Sequence, residues 1–483
     1  MGEHMGEHPT GLSCRPRALG CTLAVVLLGA CAAPQPALRD AGSAAASSAQ
    51  VDTRSAADSV RATGRFGRLD TRARARLLAQ LGAQGGGSAL NRQVLAMGRF
   101  GDVNLHAGNQ ASLLIDGPAT FAAMFAAIEQ ARQSILLQSY IIEDSEISRR
   151  LADLLARKRA QGVPVHVLYD AVGSIGTPQA YFEQLRAAGI ATCAVNPVNP
   201  MKRPGYWGIT RRDHRKILSV DRQTGFAGGI NISAAYSSGS FGRSRSRPAD
   251  ALTSGWRDTQ IRLRGPAVAA LDDLVRETWQ AQGCHGAMPP VQALPAGPPA
   301  GQQVVRIVPS RGDDSVSQIY AMLLNAIDAS SRSVYLTMAY FAPGQEMIDA
   351  LCDAARRGVD VQLVLPSMSD FTPVLHAGRS HYTRLLQAGV KLHELQDAVL
   401  HAKTAIIDGV VSSVGSSNMD WRSFSSNDEV NAVVLGEDFG DAMQRMFRQD
   451  VADSTPITLQ AWAERPLMQR AKETVARWFE WLL

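Results

Sequence analysis

Asp213-His214-Arg215-Lys216-Ile217-Leu218-Ser219-Val220-Asp221 and Leu400-His401-Ala402-Lys403-Thr404-Ala405-Ile406-Ile407-Asp408 are two copies of one pattern, His-x-Lys-x-x-x-x-Asp. Each runs into a small-residue turn that ends in Asn, Gly228-Gly229-Ile230-Asn231 in the first copy and Gly415-Ser416-Ser417-Asn418 in the second. The alternating apolar residues after each His predict a strand, on which side chains two apart share a face. His214 is then expected to project with Lys216, and His401 with Lys403. Asp221 and Asp408 point to the other face and support the motif without doing chemistry. One such pattern is commonly no more than an exposed strand; two with matching turns and downstream acids are not explained that way.

The same order of elements surrounds both motifs. Ser134 to Tyr140 reads as a buried strand, Ile147 to Gln161 as a helix, Val163 to Tyr169 as a strand, and Pro178 to Ala188 as a helix. Later, Ile319 to Asp328 is helical, Ser333 to Phe341 a strand, Gly344 to Arg357 a helix, Val359 to Leu365 a strand, and Arg379 to Ala388 a helix. Gln161-Gly162-Val163 matches Arg357-Gly358-Val359, and Ala188-Gly189-Ile190 matches Ala388-Gly389-Val390. The period of about 200 residues marks a duplicated α/β domain, far longer than a solenoid repeat. Residues 283–301, rich in Pro, Gly and Ala, read as the linker between the copies.

Composition sets looser bounds. The 483 residues are 45% apolar and 19% charged, ordinary values for a globular chain. A net charge of +5 favours anionic partners without naming one. Lys202, Arg203, Arg211, Arg212, Arg215, Lys216, Arg243, Arg245 and Arg247 cluster around the first motif, an arrangement suited to steering phosphate.

At the N-terminus, Arg15 and Arg17 precede an apolar run from Cys21 to Ala30 that is too short to span a bilayer stably. Leu28-Gly29-Ala30-Cys31 resembles a lipoprotein processing site, which implies a lipidated Cys31; a simple cleaved signal or a short anchor is the plainer alternative. Residues 1–31 are thus expected as a lipoprotein-type signal peptide and 32–102 as a low-complexity tether with one short helix. Cys193, Cys284 and Cys352 have no metal-like spacing, and their odd number gives no complete disulfide framework. The C-terminal residues 456–483 read as an amphipathic helix carrying Trp462, Trp478, Phe479 and Trp481, able to pack on the protein or lie in a membrane interface.

Pseudo-symmetric copies are expected to pack so that two His, two Lys, Asn231 and Asn418 share a pocket. That set suits a phosphodiester: the Lys and Asn groups bind non-bridging oxygens and stabilise a pentacovalent transition state. One neutral His can attack phosphorus while the other donates a proton to the leaving oxygen. Asp258, in Trp256-Arg257-Asp258-Thr259, and Glu429, in Asn427-Asp428-Glu429-Val430, are the candidate carboxylates behind the imidazoles. Flanking cations are expected to lower one imidazole pKa and a carboxylate to raise the other. No carboxylate-rich metal site is visible, so no metal or cofactor is expected.

With both motifs in hand, the chain resembles the phospholipase D superfamily and within it bacterial cardiolipin synthases, over roughly residues 103–483. Ser139-Tyr140, His214-Arg215-Lys216, Gly265-Pro266-Ala267-Val268 and Ser426-Asn427-Asp428-Glu429-Val430-Asn431 add to the resemblance. It implies two phospholipase D-like domains, 103–282 and 302–455, each a mixed β-sheet flanked by helices, with the active site at their interface. It further implies His214 as nucleophile, His401 as general acid and base, Lys216, Lys403, Asn231 and Asn418 on phosphate, and Asp258 and Glu429 orienting the histidines. Asp213 departs from the family, where Asn often precedes the first His, and is expected to bring negative charge towards the pocket. Paired N-terminal transmembrane helices of some relatives are replaced by the signal-like segment, and the loop 233–248 is long.

The implied activity is a phosphatidyltransferase that makes cardiolipin from two phosphatidylglycerol molecules through a phosphohistidine. Hydrolysis of phospholipid or nucleic acid by the same intermediate is the alternative, and a non-enzymatic envelope lipid-binding protein the third reading. The expected partners are phosphatidylglycerol or another anionic phospholipid and the membrane surface, without nucleic acid, for a monomer anchored at Cys31 in the cell envelope and facing the periplasm.

Overall fold

The apolar runs around each motif become paired strands in a computed structural model, which describes residues 60–64, 67–83, 87–98, 103–198, 210–240, 255–294 and 296–483. The expectations for Cys31, Lys202, Arg203, Arg243, Arg245, Arg247 and the end of the 233–248 loop fall outside the described residues. The first half orders its strands as Val103–Ile115, Thr259–Arg264, Thr224–Gly228, Ile217–Val220, Ile135–Ser139, Val165–Asp170 and Ala191–Val195. The second half repeats that order with Gln303–Ser310, Glu429–Leu435, Val411–Gly415, Lys403–Ile407, Ser333–Met338, Asp360–Pro366 and Lys391–Leu395. Each sheet is antiparallel except its last three strands, which are parallel because helices such as Glu146–Ala160 and Gln345–Arg356 make the crossovers. Ser145 caps the first of these helices, and Gly162 at φ 90° and Gly358 at φ 88° end the pair in the left-handed region that glycine tolerates. This is the mixed, helix-flanked α/β duplication that the sequence repeat predicts.

Alternation along the motif strands feeds two cores. Leu218 packs in the outer core of the first half, with Phe121, Leu151 and Phe182. Ile217 and Ile406 enter a middle core that both halves share, beside Leu271, Trp279, Phe439 and Phe447. The shared core is why the halves hold a fixed geometry: its side chains are buried only if both sheets are present.

Three stretches differ from their expected form. Residues 60–97, read as tether with one helix, contain the strand Val60–Gly64, which pairs with Val103–Ile115, and the helices Thr71–Ala83 and Gly87–Met97. Leu81, Leu90, Val94 and Met97 are buried in the outer core of the second half, so these residues belong to the fold despite their Ala- and Arg-rich composition. The helix expected from Arg379 to Ala388 is the shorter Tyr382–Gln387, and a separate helix, Thr372–Arg379, precedes it. Residues 456–483 are not one helix either: an edge strand Ser454–Ile457 precedes the helices Leu459–Ala463 and Leu467–Trp478. In addition, Cys193 and Cys284 form a disulfide, leaving buried Cys352 free.

Asp221 and Asp408 close their strands at φ 55° and 54°, a left-handed conformation that Asp adopts more readily than most residues. Asp221 accepts backbone N–H bonds from Arg132, Gln133 and Ser134; Asp408 accepts them from Ser331, Arg332 and Ser333. Each carboxylate therefore ties its turn to the start of the neighbouring strand, well away from the histidines. Asp221→Ala is expected to cost about 2–4 kcal/mol in urea unfolding, since three amides lose a charged acceptor. Asp221→Asn, which keeps one acceptor and the turn preference, is expected to cost less.

Candidate active site

Both histidines sit just ahead of their strands: regular pairing begins only at Ile217 and Lys403. Strand parity therefore does not place His214, and its position comes from the opposite half. The His214 amide donates to the Asp428 carbonyl (2.9 Å), and the His401 amide donates to the Arg257 carbonyl (2.7 Å). Because Asp428 precedes Glu429 and Arg257 precedes Asp258, each backbone bond aligns one half's acid with the other half's imidazole. His214 Nδ1 lies 3.0 Å from Glu429 Oε1, and His401 Nδ1 lies 2.7 Å from Asp258 Oδ2. A carboxylate acceptor fixes hydrogen on Nδ1 and leaves Nε2 of each neutral ring with its lone pair.

The carboxylates are themselves held. Ser416 donates its hydroxyl to Glu429 Oε2 at 2.5 Å. Asp258 is shorter by one methylene, and Gly229 stands where the repeat has Ser416. A Cβ on Gly229 would lie 2.2 Å from Asp258 Oδ1, so glycine is what lets the backbone pass. Asp116 accepts the Asp258 amide at 3.1 Å, and the fully buried Arg257 pairs through Nε with Asp450 at 2.7 Å. Gly229→Ala is expected to push Asp258 off His401 and lower kcat about 10²-fold, with a smaller change in KM.

The imidazoles open on a pocket of about 300 Å³ that is also lined by Tyr140, Asn231, Tyr340, Asn418 and Arg422. Asn418 Oδ1 and Asn427 Oδ1 have no hydrogen-bond partner there, whereas Asn231 is engaged with the Ile141 amide and the Tyr236 hydroxyl. Lys216 and Lys403 are buried beside the histidines, each donating Nζ to the carbonyl of its own motif's His. Lys216 also stands 5.0 Å from the Tyr140 ring centre. Of the residues predicted to handle phosphate, His214, His401, Asn231 and Asn418 line this pocket and Lys216, Lys403, Asp258 and Glu429 contact its histidines, whereas Asp221 and Asp408 do not reach it.

Electrostatics differ from the expected division of labour. Burial lowers His214 well below the ordinary imidazole range, with Lys216 and Lys403 adding to it. His401 is also lowered by burial and by Lys403, against the opposing pull of Asp258. Each ring has its own carboxylate, so the two are not pushed in opposite directions; desolvation of a fully enclosed pair dominates. The same burial draws Lys216 down to about 7 and Lys403 to about 8, and pushes Glu429 up to about 7. Asp213, expected to project charge at the pocket, is turned away: it accepts from Gln138 Nε2 and the Arg215 amide, and burial raises its pKa.

Tyr140 and Tyr340 both line the pocket but are one position out of step in the repeat: Tyr340 stands where the first half has Ile141, whose carbonyl likewise accepts the amide of the residue after the motif's Asn. Asp420 and Arg422, two and four residues past Asn418, were within reach of the motif but carry no pattern of their own. Asp370, Phe371, Val374 and the C-terminal Leu483 also line the pocket, and only the fold brings them in.

A family model described as "Cardiolipin synthase, PLD-like domain" matches residues 124–240 and 323–451, one match in each half. The chain is 35% identical over 381 residues to a cardiolipin synthase of Geobacillus thermodenitrificans, covering 78% of this chain and 73% of that one. It is 35% identical over 385 residues to cardiolipin synthase A of Pseudomonas putida strain W619, covering 79% and 77%. Among solved structures, the phosphatidylserine synthase of Haemophilus influenzae shares the fold at a TM-score of 0.59 with 11% identity, over 77% of this chain and 95% of that one.

Proposed function

The chain belongs to the phospholipase D-like cardiolipin synthases, and from that premise we propose that it transfers a phosphatidyl group between two phosphatidylglycerol molecules through a phosphohistidine. The observation that carries this reading is the crossed pair of clamps, His214–Glu429 and His401–Asp258, which leaves two Nε2 atoms towards one cation-rich pocket. His401 enters the step protonated on Nε2, with Asp258 accepting from its Nδ1; His214 Nε2 attacks phosphorus as the bond to the leaving glycerol oxygen breaks, and His401 gives its Nε2 proton to that oxygen. The 1- or 3-hydroxyl of a second phosphatidylglycerol then gives its proton to His401 and attacks phosphorus, releasing His214 and forming cardiolipin. Burial, with Lys216 and Lys403 beside it, keeps His214 neutral, as a nucleophile requires. Lys216, Lys403, Asn231, Asn418 and Arg422 offset the charge that builds on the phosphoryl oxygens. The energy comes from the diester already present, so no nucleotide enters.

One chain supplies both motifs, which supports action as a monomer. The Cys193–Cys284 disulfide supports an oxidising compartment, in keeping with the signal-like N-terminus and a periplasmic site. Among the described residues no helix is long and apolar enough to cross a membrane. Contact with the bilayer is instead supported by Leu467, Met468, Trp478, Trp481 and Leu482, large apolar side chains that the C-terminal segment leaves exposed.

Purified protein is expected to convert phosphatidylglycerol vesicles to cardiolipin and free glycerol in one-to-one yield, unchanged by a chelator or by omission of nucleotide. Lipid mass spectrometry checks it. Phosphatidic acid as the sole product would make the protein a hydrolase, and cleavage of nucleic acid without lipid turnover would remove the lipid reading.

A further inference from the structure

Beside the active pocket lies a second, open cavity of about 440 Å³ between the helices Thr372–Arg379 and Leu467–Trp478. Pro373, Ala471, Val475, Ala476, Phe479 and Leu483 give it an almost wholly apolar lining. Leu483 is a wall of both cavities, and the residue after Pro373, Val374, lines the active pocket. The shared wall is fixed in place. The Leu483 carbonyl accepts the amide of Arg422, a pocket residue, at 3.0 Å. Its side chain clusters with Ala342, Val374 and Ala377, and the preceding turn is tied down by Glu480, which pairs with buried His381 at 2.9 Å.

We propose that this groove is a binding site for one acyl chain of the lipid whose phosphate occupies the histidine pocket, a reading that rests on the phospholipid substrate proposed above. Two features favour a substrate chain over other apolar occupants. The groove abuts the polar pocket, with Leu483 lining both and the chain passing from one lining to the other between Pro373 and Val374, the arrangement that a molecule with a phosphate head and an apolar tail requires. Lys472 places a cation on the rim of the groove, and Val475 and Phe479 are 49% and 45% exposed, apolar surface with no protein cover. Covering that surface with methylenes gives affinity that grows with chain length up to the end of the groove. The C-terminal residues then read the lipid tail as the crossed clamps handle its head.

The test uses the full chain and phosphatidylglycerol bearing a diazirine near the end of one acyl chain, in mixed detergent micelles. Photolabelling is expected on residues 373–376 and 471–479, and Ala471→Trp, which fills the groove, is expected to reduce it about fivefold or more. In turnover, the same variant is expected to lower the ratio of kcat/KM for dipalmitoyl over dihexanoyl phosphatidylglycerol about tenfold, because only the long chain reaches the groove. Should Ala471→Trp unfold the protein, Val475→Asp is the second variant, with the same expected fall in the ratio. Labelling confined to Leu467, Met468 and Trp481 would mean bilayer contact and overturn the site, as would an unchanged chain-length ratio in a folded variant. Labelling needs no turnover: a groove that labels in a protein making no cardiolipin would overturn the transferase reading and leave the groove standing.

Discussion

His214→Ala and His401→Ala are each expected to lower cardiolipin formation by about 10⁴-fold or more, with different signatures. Without His214 there is no Nε2 to accept the phosphatidyl group, so no covalent adduct forms and the residual rate is that of the pocket alone. Without His401 the leaving glycerol has no proton donor and the acceptor hydroxyl no base. A substrate whose leaving group needs no proton, such as a p-nitrophenyl phosphodiester, would restore the first step only. That variant is expected to accumulate the adduct on His214, seen as a mass increase on the peptide that contains it. An adduct on residue 401 of the His214→Ala variant would reverse the assignment.

The same site predicts how the rate depends on pH. Burial lowers His214, so the acid limb of kcat/KM, where the nucleophile takes up a proton, is expected below the ordinary imidazole value of 6.5. On the alkaline side His401, also lowered by burial, gives up the proton it must donate, and Lys216 drawn down to about 7 and Lys403 to about 8 lose their charge as pH rises in the free enzyme. A bound phosphate opposes that loss by attracting both ammonium groups. The alkaline limb is therefore expected to lie at higher pH for kcat than for kcat/KM.

How much of this was legible beforehand follows from the range of each interaction. The duplication, the helix stops at Gly162 and Gly358 and the two motifs are local patterns, and they survive folding because backbone conformation enforces them. Strand parity separated Asp221 and Asp408 from the pocket correctly in effect, although both carboxylates act at turns and the histidines lie outside the regular strands. What could not be read is what crosses between the halves. Nothing in Trp256-Arg257-Asp258 or Asn427-Asp428-Glu429 states that each acid serves the other motif's histidine. Leu483 reaches the pocket only because the C-terminal helices fold back, and Leu81, Leu90 and Val94 join the core from a stretch whose composition suggests a tether.

The crossing itself can be measured. Asp258→Asn and Glu429→Gln keep the shape of each side chain and remove its charge. An amide can then present N–H to Nδ1, which favours the tautomer with hydrogen on Nε2 and removes the lone pair from the pocket. Each substitution is expected to lower kcat by about 10²–10⁴-fold with the fold intact, the range found when a histidine's carboxylate partner is neutralised in hydrolases. If His214 attacks, Glu429→Gln slows formation of the adduct, because its tautomer control acts on the nucleophile. Asp258→Asn disables the proton donor and the later base, so adduct accumulates with an activated leaving group, as in His401→Ala. The double variant Glu429→Gln/His214→Ala should lose little beyond His214→Ala, since the clamp has nothing left to orient, whereas Asp258→Asn/His214→Ala removes both histidines' functions. Rapid quench with peptide mapping reads both steps. If Glu429→Gln trapped the adduct and Asp258→Asn blocked its formation, the carboxylates would still be crossed but the two histidines would exchange roles.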